Sequence, residues 1–237
     1  MRQLGVFAKY WQPGTVKTRL AVSVGPEAAA CLHRACVRTV LRRTCALSDR
    51  RALLVTPPES IVEFASFAGA AWDVESQSSG DLGARMRHYF EASFSRGATE
   101  VVLIGSDSPT LPVVYIERAF ELLGRHAVVL GPASDGGYYL IGAAGNAPPV
   151  FDGVAWGGDT VWRQTVERLS AAGCSYAELP SWYDVDTIDD LRRLHAELSA
   201  MNPRDQIFED LWCEVVGQVV NLPDAGDSTR FAKRQRR

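Results

Sequence analysis

The sequence predicts an α/β protein with three α/β/α layers, in which helices cover both faces of a mostly parallel, mixed sheet. Short apolar runs typical of buried strands alternate with longer segments of helical periodicity. Repeated strand–helix units favour a parallel sheet with helices on both faces. The 237 residues, of which 46% are hydrophobic, are enough to bury a core without disulfide bonds.

Seven apolar runs predict the strands. The clearest is EVVLIGSD, which has the continuous apolar character of a strand buried on both faces. Two of the runs follow each other so closely that we expect an antiparallel interruption between them, at 126–133 and 137–144. The strands are expected at 4–8, 52–56, 70–75, 100–107, 126–133, 137–144 and 175–180.

The intervening segments predict helices. In the first of them, Leu32, Cys36 and Val40 fall on one face at helical spacing. Pro112 suits the first turn of a later helix, where its missing N–H costs nothing. The helices are expected at 25–47, 59–68, 81–97, 111–124, 158–173 and 186–198.

The regular pattern ends near position 200, so we expect one domain at 1–200 and an extension at 201–237. The extension has scattered apolar residues, two prolines and a basic end, which predicts partial disorder rather than a nucleic-acid-binding tail. Its run IFEDLWCEVVGQVV could nevertheless dock as a helix or a strand.

Composition excludes several classes of protein. A net charge of −3 argues against a generic nucleic-acid-binding protein, so any anion site must be local. Five cysteines without a CxxC pair predict reduced thiols in a cytoplasmic protein. No segment approaches the roughly 18 apolar residues of a membrane span. The first residues also lack the apolar region of a signal peptide.

Open α/β sheets bind ligands at the carboxyl ends of their strands, and the first such end is followed by KYWQPGTVKTRL. Gly14 permits a tight turn, and Lys17, Thr18 and Arg19 follow it with donors suited to a di- or triphosphate. Neither GxxxxGK(S/T) nor GxGxxG is present. The alternative for this stretch, which begins at Lys9, is a solvated basic loop.

A second strand end is followed by QSSGDLGARM. Gly80 and Gly83 leave space for a planar ligand against the backbone, on either side of Asp81 and Leu82. Asp81 contacts a base or ribose in one interpretation. In the other it caps the following helix.

Carboxylates follow two further strands. Asp107 lies at the tip of a buried apolar strand, where a charge is costly unless it is used or paired. We favour a magnesium ligand over a helix cap, because Mg²⁺ prefers one or two carboxylates with phosphate and water oxygens. In DVDTIDDL, Asp184 and Asp186 alternate. One is expected to cap the last helix and the other to meet Asp107 at the metal.

The motif GPASDGGYYLIG lies between the two closely spaced strands. Asp135, Gly136 and Gly137 form either a plain hairpin turn or, with Tyr138, part of an acceptor pocket.

The chain resembles bacterial glycosyltransferase-like proteins of the GT-A, nucleotide-diphospho-sugar transferase fold. The resemblance rests on five motifs in this order along the chain: GVFAKYWQPGTVKTRL, QSSGDLGARM, GSDSPTLP, GPASDGGYYLIG and DVDTIDDL. The resemblance covers about residues 4–198 and includes the arsenosugar-biosynthesis glycosyltransferase type. Wider relatives are guanylyltransferases for phospholactate and molybdopterin. The chain departs from the family pattern at Trp11, where a proline is usual, and at Pro109, which replaces the second acid of an Asp-x-Asp motif.

The resemblance implies a nucleotide site with a divalent cation, Mg²⁺ or Mn²⁺. Lys17 and Arg19 would contact the phosphates, and Gly80–Gly83 would line the nucleoside. Asp107 and Asp184 would bind the metal, and Asp135 would face the acceptor or the donor sugar.

We therefore expect transfer of a sugar from a nucleotide-diphospho-sugar to a small-molecule acceptor, with Asp135 as the base and Lys17 and the metal neutralising the leaving diphosphate. One alternative is a nucleotidyltransferase that joins an NTP to a phosphorylated small molecule and releases pyrophosphate. Another is a protein that binds nucleotides without catalysis.

Overall fold

A computed structural model describes residues 1–201 and 205–219. The predicted fold is confirmed, because the described part of the chain forms a seven-stranded mixed sheet with helices on both faces. The strands are β1 (Arg2–Lys9), β2 (Arg50–Thr56), β3 (Asp73–Ser76), β4 (Glu100–Gly105), β5 (Val128–Pro132), β6 (Tyr138–Ala144) and β7 (Tyr176–Glu178). Their order across the sheet is β3-β2-β1-β4-β6-β5-β7.

The antiparallel interruption predicted between the fifth and sixth strands is confirmed. Strand β6 runs antiparallel to both β4 and β5, whereas β1 pairs in parallel with β2 and β4. The strand predicted at 70–75 begins only at Asp73, because Gly69–Ala71 form a 3₁₀ turn.

Eight α-helices lie in the described residues: α1 (Thr18–Val24), α2 (Pro26–Thr44), α3 (Ile61–Ala68), α4 (Leu82–Ser95), α5 (Val113–Leu123), α6 (Val161–Ala171), α7 (Ile188–Ala200) and α8 (Glu209–Val219). Helix α1 was not predicted, because it is too short to show apolar periodicity and directly follows the basic loop.

The core follows the two-residue period of the strands. In β1, Leu4, Val6 and Ala8 are buried towards the layer of α2, α3 and α5, while Phe7 faces the layer of α4 and α6. A third apolar cluster joins α1 and α2 to α7 and α8. This cluster includes Tyr183 and Val185, so the segment that leads into α7 is anchored beside the end of β4.

The first part of the C-terminal extension forms a 3₁₀ turn, Gln206–Phe208, and helix α8. Arg38 and Arg42 of α2 donate to the Asp210 carboxylate of α8, each at 3.2 Å. The basic end predicted to be partly disordered lies outside the described residues. None of the helices in the described ranges has the length and apolar character needed to span a membrane.

Candidate active site

The candidate site lies where β1 and β4 end, beside the segment that leads into α7. The backbone N–H of Val185 donates to the carbonyl oxygen of Asp107 at 2.9 Å, which aligns this segment with the end of β4. Asp186 lies against Lys17, at the end of the loop after β1, and against Arg19 in the first turn of α1. Cations and carboxylates from separate motifs therefore meet at one edge of the sheet, where ligands bind in such folds.

Lys17 is the centre of this arrangement. Its ammonium group forms ion pairs with Asp107 and with Oδ1 of Asp186, the latter at 3.2 Å, and its side chain is only 1% exposed. Burial lowers the pKa of Lys17, but the charges of Asp107 and Asp186 outweigh burial, so the net shift is upward. Lys17 thus remains charged and holds two carboxylates. Its contact with a phosphate stays a prediction.

Asp107 has a second buried neighbour, His33 of α2, which the sequence analysis did not single out. Nδ1 of His33 lies 3.5 Å from Oδ1 of Asp107, and its Nε2 lies 2.9 Å from the carbonyl oxygen of Lys9. Burial raises the pKa of Asp107, but Lys17 and His33 outweigh burial and hold that pKa well below its usual range. Asp107 is therefore an ionised carboxylate. A lone histidine within a helical pattern gave no signal of this role.

Asp184 behaves in the opposite way. Burial, reinforced by the nearby charge of Asp107, raises the pKa of Asp184 to about 7, although its carboxylate accepts a hydrogen bond from the hydroxyl of Ser108. Two carboxylates that repel each other in a partly buried site form a donor set that suits a divalent cation.

The metal predicted at Asp107 and Asp184 fits this pair of oxygen donors. The described residues contain no group of three or more His, Cys, Asp or Glu side chains able to hold a metal. A two-carboxylate site is nevertheless what Mg²⁺ uses when water and substrate phosphates complete its shell. Pro109 stands where an Asp-x-Asp motif after β4 would have its second acid. In this chain Asp184 would supply the second carboxylate instead.

Asp186 and Arg19 form the outer part of the site. The guanidinium of Arg19 donates to Oδ2 of Asp186 at 2.7 Å, and the Arg19 side chain is 60% exposed. The expectation that Asp184 or Asp186 caps the last helix is wrong, because Thr187 is the N-cap of α7 and forms a capping box with Asp190. Both aspartates are thus available to the site.

Arg19, Asp184 and Asp186 open into a cleft of about 590 Å³, which we call the strand-end cleft. A glycine-rich segment after β6 forms its opposite wall and was missed by the sequence analysis. The other lining residues are Leu82, Asp135, Gly137, Tyr138, Trp156, Gly157, Gly158, Asp159 and Val161.

The turn that carries Asp135 is fixed by close packing. The backbone N–H of Gly137 donates to Oδ1 of Asp135 at 3.0 Å. Gly136 has a φ of +90°, and a Cβ added there would lie 2.3 Å from the carbonyl oxygen of Asp159. Only glycine fits against this backbone, so the turn holds the exposed Asp135 at the mouth of the cleft.

The QSSGDLGARM motif is built mainly for packing. Asp81 caps α4 by accepting from the N–H of Ala84 at 2.8 Å, which agrees with the capping interpretation. A Cβ on Gly83 would lie 2.4 Å from Nε1 of Trp156, so the indole packs directly against this glycine. The contact of Gly80–Gly83 with a nucleoside stays a prediction. Gly80 has a φ of +105°.

The remaining residues of the basic loop shape its path. Nζ of Lys9 donates to the carbonyl oxygen of Thr15 at 2.7 Å, and Gly14 has a φ of +78°. Trp11 is buried, with its ring centroid 4.7 Å from those of Phe64 and Phe67. Thr18 is exposed at the start of α1. Trp11 therefore anchors the loop at the position where the family pattern has a proline.

Comparisons with known proteins agree with this architecture. The bacterial family described as "Uncharacterized protein conserved in bacteria (DUF2064)" matches residues 37–158. A protein from Desulfovibrio desulfuricans G20, provisionally assigned as a nucleotide-diphospho-sugar transferase, is 33% identical with a TM-score of 0.84. The alignment covers 92% of this chain and 95% of that one. No curated protein matches the chain significantly.

More distant solved structures share the fold alone. A nucleotidyl transferase from Methanothermobacter thermautotroptrophicus is 14% identical with a TM-score of 0.55, covering 83% of this chain and 97% of that one. A cytidylyltransferase from Leptospira borgpetersenii is 14% identical with a TM-score of 0.52, covering 92% and 93%. The chain has the nucleotide-diphospho-sugar transferase fold and belongs to the bacterial DUF2064 family.

Proposed function

We propose that the protein is a metal-assisted transferase that moves a sugar from a nucleotide-diphospho-sugar to a small-molecule acceptor. The observation that carries this proposal is the cluster in which Lys17 pairs with Asp107 and Asp186 beside a cleft lined by Arg19, Asp184 and Asp186. The similarity to the Desulfovibrio protein supports the same class of donor. The narrower arsenosugar-biosynthesis type stays a prediction.

The carboxylates of Asp107 and Asp184 would hold Mg²⁺ or Mn²⁺. When bound, the cation supplies positive charge against the diphosphate leaving group. Lys17 fixes the positions of Asp107 and Asp186. Arg19, the exposed cation of the cleft, binds a phosphate through its guanidinium, which suits a diphosphate that gains charge as the sugar departs.

Asp135 is our candidate for the general base. As the acceptor oxygen bonds to the anomeric carbon, the bond from that carbon to the diphosphate oxygen breaks, and the acceptor's proton passes to the Asp135 carboxylate. This carboxylate is exposed in the cleft, and one of its oxygens is already held by the backbone N–H of Gly137. Such an oriented, accessible carboxylate is suited to this role.

Two features of the strand-end cleft favour sugar transfer over nucleotidyl transfer. Tyr138 and Trp156, with ring centroids 6.4 Å apart, give it an aromatic wall against which a sugar ring can pack. Arg19 is the one cation among its described lining residues, and Lys17 is already engaged by two carboxylates. This charge is better matched to a diphosphate than to a triphosphate.

The proposal is tested by incubating the protein and Mn²⁺ with a panel of nucleotide sugars and, separately, of NTPs. We expect slow release of a nucleoside diphosphate from one nucleotide sugar, because water can replace the missing acceptor. Release of pyrophosphate from an NTP in the presence of phosphorylated small molecules would instead support the nucleotidyltransferase alternative.

Replacing Arg19 by alanine should weaken the binding of the nucleotide-sugar donor. We expect KM for the nucleotide sugar to rise by about tenfold or more, because one charge-assisted contact to phosphate is lost. Arg19→Lys should recover part of this loss, since it retains the charge without the bidentate fork. Steady-state kinetics measure both effects, and an unchanged KM in Arg19→Ala would remove Arg19 from the phosphate site.

Replacing Asp135 by asparagine should lower kcat by about 10²-fold or more while leaving donor binding unchanged, as expected for loss of a general base. Asp159→Asn is the matched control, because Asp159 is a second carboxylate in the same cleft. If Asp159→Asn loses turnover and Asp135→Asn retains it, the base has been assigned to the wrong residue.

A further inference from the structure

A second cleft lies between α2 and α3, in the helix layer that covers one face of the sheet. Its volume is about 750 Å³. We call it the α2–α3 cleft. It shares no lining residue with the strand-end cleft. It is lined by Arg34, Arg38 and Arg42 and by the apolar side chains of Leu41, Phe67 and Trp72.

Three arginines form one wall of this cleft. Arg34, Arg38 and Arg42 occupy every fourth position of α2, so they share one face of the helix. At a rise of about 1.5 Å per residue, the ladder extends roughly 12 Å. The spacing places all three guanidinium groups along the same cleft rather than scattering them over the surface.

Two of these arginines, Arg34 and Arg38, lie over aromatic rings. The Arg34 guanidinium lies 5.3 Å from the ring centroid of Trp11 and 5.5 Å from that of Phe67. The Arg38 guanidinium lies 4.7 Å from the same Phe67 ring. Contacts of this kind stabilise a cation over a ring and reduce the freedom lost when its N–H groups bind a ligand.

The positive charge of the α2–α3 cleft is only partly compensated. Asp210 of α8 accepts from both Arg38 and Arg42, and Glu63 accepts from the hydroxyl of Tyr10. Within residues 1–201 and 205–219, Arg34 has no carboxylate within ion-pair distance. The protein as a whole carries a net charge of −3, so this local excess of cations is a distinct feature.

We propose that the α2–α3 cleft binds a small molecule that carries a phosphate group on a flat apolar body. The arginine ladder provides planar, bidentate donors for phosphate. The half-buried Phe67 provides apolar surface for the body, together with the small exposed parts of Trp72 and Leu41. The volume falls within the about 300–1,000 Å³ typical of small-molecule sites. The site is independent of the proposed transferase reaction.

The test uses ¹⁹F NMR of metal-free protein labelled with 5-fluorotryptophan and titrated with 1-naphthyl phosphate. The six tryptophans distinguish the clefts, because Trp72 lines the α2–α3 cleft and Trp11 contacts its arginine, whereas Trp156 lines the strand-end cleft. We expect the Trp72 and Trp11 resonances to shift. Inorganic phosphate and 1-naphthol should each bind more weakly, because each lacks one half of the ligand. A shift of Trp156 alone would overturn the proposal.

Three variants distinguish a loss of ligand binding from a loss of folding. The double variant Arg34→Ala/Arg38→Ala should bind 1-naphthyl phosphate about tenfold or more weakly than the wild type, because two guanidinium donors are lost. Ser66→Glu adds a carboxylate on the exposed rim of the cleft and should weaken binding without removing any packing contact. Arg163→Ala/Arg192→Ala removes the same charge from other helices and should bind as the wild type does.

Two outcomes contradict the assignment. Equal affinity in the wild type, Arg34→Ala/Arg38→Ala and Ser66→Glu would exclude the arginine wall as the binding element. A decapeptide of glutamate that shifts the Trp72 and Trp11 resonances at lower concentration than 1-naphthyl phosphate would show an acidic-peptide surface instead of a small-molecule site.

Discussion

Asp184→Asn is expected to stabilise the metal-free protein at pH 8 while abolishing the proposed transferase activity. The carboxyl of Asp184 ionises only near a pKa of about 7 in the folded protein, because burial and the charge of Asp107 oppose ionisation. Asparagine retains an acceptor for the hydroxyl of Ser108 but carries no charge. The variant therefore loses the electrostatic penalty together with a proposed metal ligand.

The sign of the pH dependence follows from proton linkage. In the unfolded chain the Asp184 carboxyl ionises at about pH 4. Between that pH and about 7, only the folded state keeps the proton. The free energy of unfolding therefore falls as the pH rises through this range. The shift corresponds to about 2–4 kcal/mol. Asp184→Asn should thus resemble the wild type at pH 4 and melt roughly 5–10 °C higher at pH 8.

Thermal unfolding in EDTA at the two pH values measures this effect. Asp159→Asn removes a carboxylate from the same cleft and should leave the pH dependence unchanged. A lower melting temperature for Asp184→Asn at pH 8 would mean that the Asp184 carboxylate is stabilising in the apo protein, contrary to the repulsion described above.

Lys17→Met is expected to destabilise the protein and to reduce kcat by about 10²-fold or more, because the carboxylates lose the cation that positions them. The loss of stability should be about 2–3 kcal/mol, below the cost of breaking a fully buried pair, since the Asp107 side chain is 40% exposed and stays partly hydrated. Lys17 has a φ of +47°, and methionine bears the same backbone strain.

Denaturant unfolding and steady-state kinetics measure the two consequences of Lys17→Met. Lys9→Met is the matched control, because Lys9 donates only to a loop carbonyl and is exposed. We expect Lys9→Met to change stability by less than about 1 kcal/mol. Near-wild-type stability in Lys17→Met would contradict the central position of Lys17 between Asp107 and Asp186.

The fold could be predicted from the sequence because three separate patterns indicated the same architecture. The alternating β and α segments, the apolar run of β4 and the close spacing of β5 and β6 all led to the mixed sheet that the structure contains. Helix α1 was missed because its seven residues cannot show periodicity. The early start predicted for β3 came from apolar residues that form a turn instead.

The site was only partly predictable. Strand ends identified Asp107, Asp184 and Asp135, because polar residues at such positions indicate a ligand edge. The partners of these residues depend on contacts distant in sequence, such as that between Lys17 and Asp186 or between His33 and Asp107. Trp156 belongs to a loop without a recognised motif, and its contact with Gly83 is set by tertiary packing.

Asp107 and Asp184 are proposed to bind a divalent cation together with a nucleoside diphosphate. Isothermal titration of Mn²⁺ at pH 8, with and without saturating nucleoside diphosphate, tests it most directly. We expect the nucleotide to tighten Mn²⁺ binding by about tenfold or more in the wild type, and Asp184→Asn to lose this binding. Equal Mn²⁺ affinity in the wild type and Asp184→Asn, with no effect of any nucleoside diphosphate, would contradict the claim.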